Sequence, residues 1–252
     1  MISLQDTLKL NNHAVALYHS DNLPQAASAY YESLCFFNRL LQESYHCQDI
    51  VGITANTTTV PQHECLHNIV VSVASSKTCC YGDDDDGDTR IISAGSTQSH
   101  EPFVYQSPLI LKELPPFMPL QNMQAMTIYC ASILFNTAIL HHQDSFKTGN
   151  SASLDRAAQL YEASLHLVGK FRATVLGPNK TVSLIAMAAS NNLAQIEFEK
   201  GMLDQACKRL QFLKHLIQSL QQVVPHIFTR DEFEGMLSNS LSAQDVIASP
   251  AA

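Results

Sequence analysis

Two sets of side chains in this chain have the types and spacing to do chemistry. The first is a run of imidazoles and thiols. His46, Cys47, His63, Cys65, His67, Cys79 and Cys80 fall within 35 residues. Imidazole and thiolate are zinc ligands, and a small segment can need a metal in order to fold. The spacing argues against a knuckle. There is no C-x-x-C pair, and His63-x-Cys65-x-His67 alternates as a strand does. No metal ligand and no cofactor is therefore assigned. A metal-binding or redox-responsive protein built on these residues is the alternative function. The second set is amide. Asn12, Asn136 and Asn192 each precede an alanine by two residues, at Ala14, Ala138 and Ala194. An asparagine carries two donors and an acceptor, which suits hydrogen-bonding a peptide backbone or, alternatively, neighbouring groups within a helix stack. These three are the candidate partner-binding groove.

Other constellations fail on spacing. The acidic run Asp83-Asp84-Asp85-Asp86-Gly87-Asp88 suggests calcium. With Gly87 at the sixth loop position, Gly82 falls first and Ser93 twelfth, where the loop needs an acid and a glutamate. Adjacent His141 and His142 on a helix point about 100° apart and share no metal face. No nucleophile elbow, phosphate loop, dinucleotide fingerprint or H-E-x-x-H occurs. Glu197, Glu199 and His141 offer an acid and a base, but no spacing demands that role. Cys130 and Cys207 lie in apolar stretches, as inert buried thiols do. The expectation is a protein that is not an enzyme.

Composition narrows the partners. Of 252 residues, 46% are hydrophobic and 15% charged, with a formal net charge of -8. That balance gives a folded protein. It lacks the clustered lysine and arginine needed to bind nucleic acid or an anionic membrane. Seven cysteines at irregular spacing fit a reducing compartment. The N-terminus has no charged region followed by an apolar run, and no run approaches the roughly 18 residues of a membrane span. A cytoplasmic location is expected, with the nucleus also open.

The elements that must position these residues are helices. Residues 3–45 have the periodicity of a helical hairpin that turns at Ser20-Asp21-Asn22, with Pro24 in the first turn of its second helix. Residues 46–119 lose that period and carry repeated prolines, which marks a mixed, partly extended or disordered insertion. Its candidate extended stretches are 50–53, 69–73 and 103–111. Pro108 makes the last an edge or a solitary strand. Helical signal returns near Leu120 and ends at residues 141–144, before a polar loop at 145–153. Further helical stretches follow over 154–168, 182–198 and 204–223. Residues 239–252 are small and polar, as a flexible tail is.

A pattern recurs within these helices. A small residue in one helix is answered in the next by a small residue and, four positions on, a large one. The copies are Ala14 with Ala26 and Tyr30, Ala138 with Ala157 and Tyr161, and Ala194 with Ala206 and Leu210. This pattern resembles the tetratricopeptide repeat. The resemblance implies an all-α array of about three antiparallel helix pairs, residues 1–238, interrupted by the 46–119 insertion. It also implies a concave surface that binds a peptide or helix of an unknown protein partner. The family's carboxylate clamp does not carry over, because Asn11, Val15, Ala188 and Asn192 stand at clamp positions and only Asn136 fits. The segments 103–110, 135–142, 191–196 and 249–252 also resemble an uncharacterised group of tetratricopeptide-like algal proteins.

Overall fold

The computed structural model describes residues 3–50, 103–111, 123–169, 180–219 and 228–248. Among them are seven helices and no strand. They are α1 (Leu4–His19), α2 (Leu23–Ile50), α3 (Met123–Thr148), α4 (Ser151–Gly169), α5 (Lys180–Glu199), α6 (Leu203–Ser219) and α7 (Arg230–Ala248). Each packs against the next along the chain. The odd-numbered helices also touch in sequence, α1 on α3, α3 on α5 and α5 on α7. They form one continuous layer, backed by α2, α4 and α6.

Local chemistry sets the helix ends. Ser3 and Asp6 form a reciprocal capping box at α1. The Asn22 amide oxygen accepts from Gln25 N–H at α2, and the Asn150 oxygen accepts from Ala152 N–H at α4. Thr229 and Glu232 cap α7 in the same reciprocal way. The three turns from an odd to an even helix each use one left-handed residue: Asp21 (φ 60°), Gly149 (φ 70°) and Gly201 (φ 72°). Around Asp21 and Gly201 the hydrogen bonds are those of a Schellman motif, with Asn22 N–H on Leu17 C=O and Met202 N–H on Glu197 C=O.

The repeated small and large residues are where the helices meet. Ala14, Ala26, Tyr30, Ala138, Ala157, Tyr161, Ala194, Ala206 and Leu210 are all buried, none more than 1% exposed. Ala14, Ala26 and Tyr30 lie in a small cluster between α1 and α2, capped by Leu140 of α3. The corresponding residues of the second copy, with Ala194 and Leu210 of the third, belong to the main core. An alanine lets two backbones approach, and the large residue one turn on fills the space above it.

Three expectations change. Residues 145–153 are helical apart from Gly149 and Asn150. Their polar side chains bond their own helix, Ser145 Oγ to His142 C=O and Thr148 Oγ1 to Asp144 C=O, so polarity there does not mark a loop. Helix α2 continues to Ile50, into the region assigned to the insertion. Residues 239–248, expected in the tail, continue α7. The stretches 51–53 and 69–73 lie outside the described residues.

Candidate functional site: an asparagine ladder around an extended segment

Residues 103–111 carry no helix, turn or bend. They run across the layer of odd helices from α7 to α1, against the chain order of those helices. Their hydrogen bonds show a period of two, the mark of an extended chain, in which every second residue presents N–H and C=O to one edge. Four asparagines, one from each odd helix, take that edge.

Each asparagine bonds both backbone groups of one residue. From α7, Asn239 accepts from Phe103 N–H (3.2 Å) and donates to Phe103 C=O (2.8 Å). From α5, Asn192 accepts from Tyr105 N–H and donates to Tyr105 C=O, both at 2.8 Å. From α3, Asn136 does the same to Leu109, at 2.7 and 2.8 Å. From α1, Asn12 does so to Leu111, at 2.9 and 2.7 Å. The structure thus places Asn12, Asn136 and Asn192 on one segment and adds Asn239 as a fourth rung.

Two more asparagines organise these four into matching brackets. Asn11 donates to Leu109 C=O and to the Asn12 side chain, and accepts from Asn136. Asn191 donates to Phe103 C=O and to the Asn192 side chain, and accepts from Asn239. Asn11, Asn12 and Asn136 therefore repeat the wiring of Asn191, Asn192 and Asn239, bond for bond. Five of the six are buried; Asn12 is half-buried. Buried amides need partners, and here the peptide backbone supplies them.

The spacing of the rungs has a geometric cause. Packed helices lie about 10 Å apart, which is about three residues of extended chain at roughly 3.3 Å each. Only even steps return the same backbone edge. The ladder meets this mismatch by stepping two residues (103 to 105), four (105 to 109) and two (109 to 111). The long step leaves Gln106 and Ser107 exposed and without an asparagine. Tyr18 of α1 donates to Gln106 C=O there, and Ser107 Oγ donates to Glu232 Oε1 of α7 at 3.0 Å. Pro108, which has no N–H, falls at an even position that faces away from the ladder.

Side-chain recognition is concentrated at the α7 end. Tyr105 is buried, with its ring 6.0 Å from those of Phe135 and Phe228. Burial pushes its phenol pKa up, with Glu232 adding to the shift. Phe103 lies against Gly235 of α7. A Cβ on that glycine would come within 2.3 Å of Phe103 Cγ. Glycine inside a helix costs about 1 kcal/mol relative to alanine, and here it makes room for an aromatic ring.

Behind the ladder lies a buried polar network. Asn192 also donates to Tyr161 Oη (2.9 Å), which is 3.5 Å from His142 Nδ1. His141 Nε2 is 2.8 Å from Tyr31 Oη, with Arg156 Nε at 3.4 Å from the same oxygen. The two imidazoles thus serve different neighbours. Burial lowers the pKa of each to about 4, helped at His141 by the Arg156 charge. Of the candidate acid and base groups, Glu197 is buried and ion-paired with Arg209 (2.6 Å), which also holds Glu162 across an open cleft between α4 and α6. Burial alone raises the pKa of Glu199. Cys130 is buried, which raises its thiol pKa, and Cys207 is buried too. The side chains of the imidazole–thiol set at 46–80 and the acidic run at 83–88 lie outside the described residues. Among the described residues there is no cluster that could hold a metal, and no helix long and apolar enough to cross a membrane.

Asn239 and its helix had readable signals. Thr229-x-x-Glu232 is a capping box, and Phe233, Met236, Leu237 and Ser240 follow at helical spacing. The doublets Asn11-Asn12 and Asn191-Asn192 are also visible in the sequence. In comparisons of the whole chain, no protein-family model, no curated protein and no solved structure matches.

Proposed function

We propose that this chain is a non-enzymatic protein-interaction scaffold, a helix-pair array of the tetratricopeptide type whose inner layer binds an extended segment of a partner protein by its backbone. The single observation that carries this reading is the pair of matching asparagine brackets. Six amides from four helices are spent on main-chain groups, which every protein segment has. Each such bond contributes about 1 kcal/mol net, and each buried group left unpaired costs about 1–3 kcal/mol. The groove therefore demands an extended occupant. In the structure residues 103–111 of the chain itself meet that demand.

The test uses the full chain with its own segment weakened by Tyr105→Ala, and a labelled peptide of residues 102–112. Circular dichroism first establishes that the variant is helical. Fluorescence anisotropy is expected to show saturable binding of the peptide, and its loss when Asn136→Ala and Asn192→Ala are added. A helical variant that ignores the peptide contradicts the proposal. So does one that binds it equally well without the two asparagines.

A further inference from the structure

We infer that residues 103–111 are a resident ligand that a partner segment can replace, and that the preferred partner carries a cation opposite Glu232. The pattern it would present is aromatic, any residue, Tyr, any residue, Arg or Lys, Pro, Leu, any residue, Leu. This rests on the groove reading above and names the partner's chemistry.

The pattern follows rung by rung from the contacts. The first position fills the notch at Gly235, where the absent Cβ leaves space that Phe103 occupies. The Tyr position sits against Phe135 and Phe228. The Pro position lies at the edge that faces away from the ladder, where no N–H is needed, and Pro108 is buried there. Of the two Leu positions, the first packs partly buried against the main core, as Leu109 does, and the last is buried under the α1 rung, as Leu111 is. Ile110, between the last two rungs, is 71% exposed and unread.

The fifth position is where the resident is a weak fit. Ser107 meets Glu232 with a neutral hydroxyl on a carboxylate. Glu232 is half-buried, and its other oxygen is taken by Thr229 N–H and Oγ1, so Oε1 is the atom available to an occupant. A guanidinium or ammonium there would form a charge-assisted bond, which is stronger than a neutral one. Ser107 and its neighbour Gln106 are exposed, so a longer side chain at the fifth position has room at the surface. The protein's net charge of -8 also favours approach of a basic segment.

Tethering explains why the partner must do better than the resident. A segment linked to its own groove acts at an effective concentration of about millimolar. An identical peptide added from outside then half-fills the groove only near that concentration. A peptide with a better contact at the one poorly served rung crosses over at a lower one.

The experiment titrates two labelled peptides into the unmodified full chain. One is residues 102–112, and the other is the same peptide with Ser107→Arg. The native peptide is expected to bind near millimolar, and the arginine peptide several-fold more tightly. Glu232→Gln, which preserves the capping box because glutamine serves equally at that position, is expected to make the two peptides equal. Raising the salt concentration should shrink the difference in the unmodified chain. The inference is overturned if neither peptide binds the unmodified chain at several millimolar. It is also overturned if the two bind equally, or if the arginine advantage survives Glu232→Gln. Binding to the Tyr105→Ala chain with none to the unmodified chain leaves the groove reading intact and defeats replacement alone. Failure with both chains defeats the groove itself.

Discussion

The two asparagine brackets share their wiring and differ in what surrounds them. The bracket of Asn11, Asn12 and Asn136 holds Leu109 and Leu111, with a half-buried Asn12 at its end and an exposed Ile110 between its rungs. The bracket of Asn191, Asn192 and Asn239 holds Phe103 and Tyr105, beside a glycine notch and two aromatic rings. It is also braced from behind, since Asn192 reaches Tyr161 and through it His142. The comparison separates two jobs. Backbone capture is common to both ends and indifferent to sequence. Aromatic side-chain contacts gather around Phe103 and Tyr105, while the other end buries Leu111.

Acid should destabilise the protein through its two buried imidazoles, of which His142 stands behind the braced end and His141 against Tyr31. His141 and His142 have pKa values lowered to about 4 from 6.5. Both are neutral in folded and unfolded chains above about pH 6.5, and the stability that reflects their burial is fully present there. As pH falls below 6.5 the unfolded chain takes up protons that the folded one refuses, and this stability is lost progressively toward pH 4. At pH 5 the loss is roughly 2 kcal/mol per histidine. Urea denaturation at pH 7.5 and pH 5 checks this, and His142→Gln should flatten part of the dependence.

The asparagine rungs should rank by burial. Asn192→Ala removes four hydrogen bonds and strands buried partners, for a loss of about 3 kcal/mol. Asn12→Ala, at the half-buried end, should cost about 1 kcal/mol. Equal losses from the two substitutions, measured by denaturant midpoint, would erase the distinction between the brackets.

Gly235→Ala gives a smaller but sharper signal, because its sign is informative. In an unobstructed helix the change stabilises by up to about 1 kcal/mol. With Phe103 in the notch it should instead destabilise by about 1–2 kcal/mol. Combined with Phe103→Ala, the same change should return to stabilising, a coupling that a double-mutant cycle reads directly. The smallest effect belongs to Ile110→Ser, which should stay within about 0.5 kcal/mol because that side chain faces solvent.

Much of this was legible in the sequence, for physical reasons that can be named. Ala14, Ala26 and Tyr30, with their counterparts, mark helix contacts because close packing limits size at those points. Asn12, Asn136 and Asn192 share a register with those alanines, which placed them on one layer. The 103–111 segment showed itself through β-branched and aromatic residues interrupted by a proline that only an edge tolerates. What escaped was α7, where small polar residues such as Ser238, Ser240 and Ser242 suggested a tail although a capping box stood upstream. The polar residues 145–153 also read as a loop although most are helical, because serine and threonine can satisfy themselves on helix backbone. No local pattern announced that the groove and the segment would meet. That contact joins residues up to 136 positions apart.

Residue-resolved amide hydrogen exchange across 103–111 tests the ladder most directly. The N–H groups of Phe103, Tyr105, Leu109 and Leu111 are bonded to asparagine oxygens and should exchange slowly. Those of Val104, Gln106, Ser107 and Ile110 should exchange quickly, giving two slow, one skipped and two slow rungs at odd positions. Uniformly fast exchange, or protection without that alternation, would contradict the account.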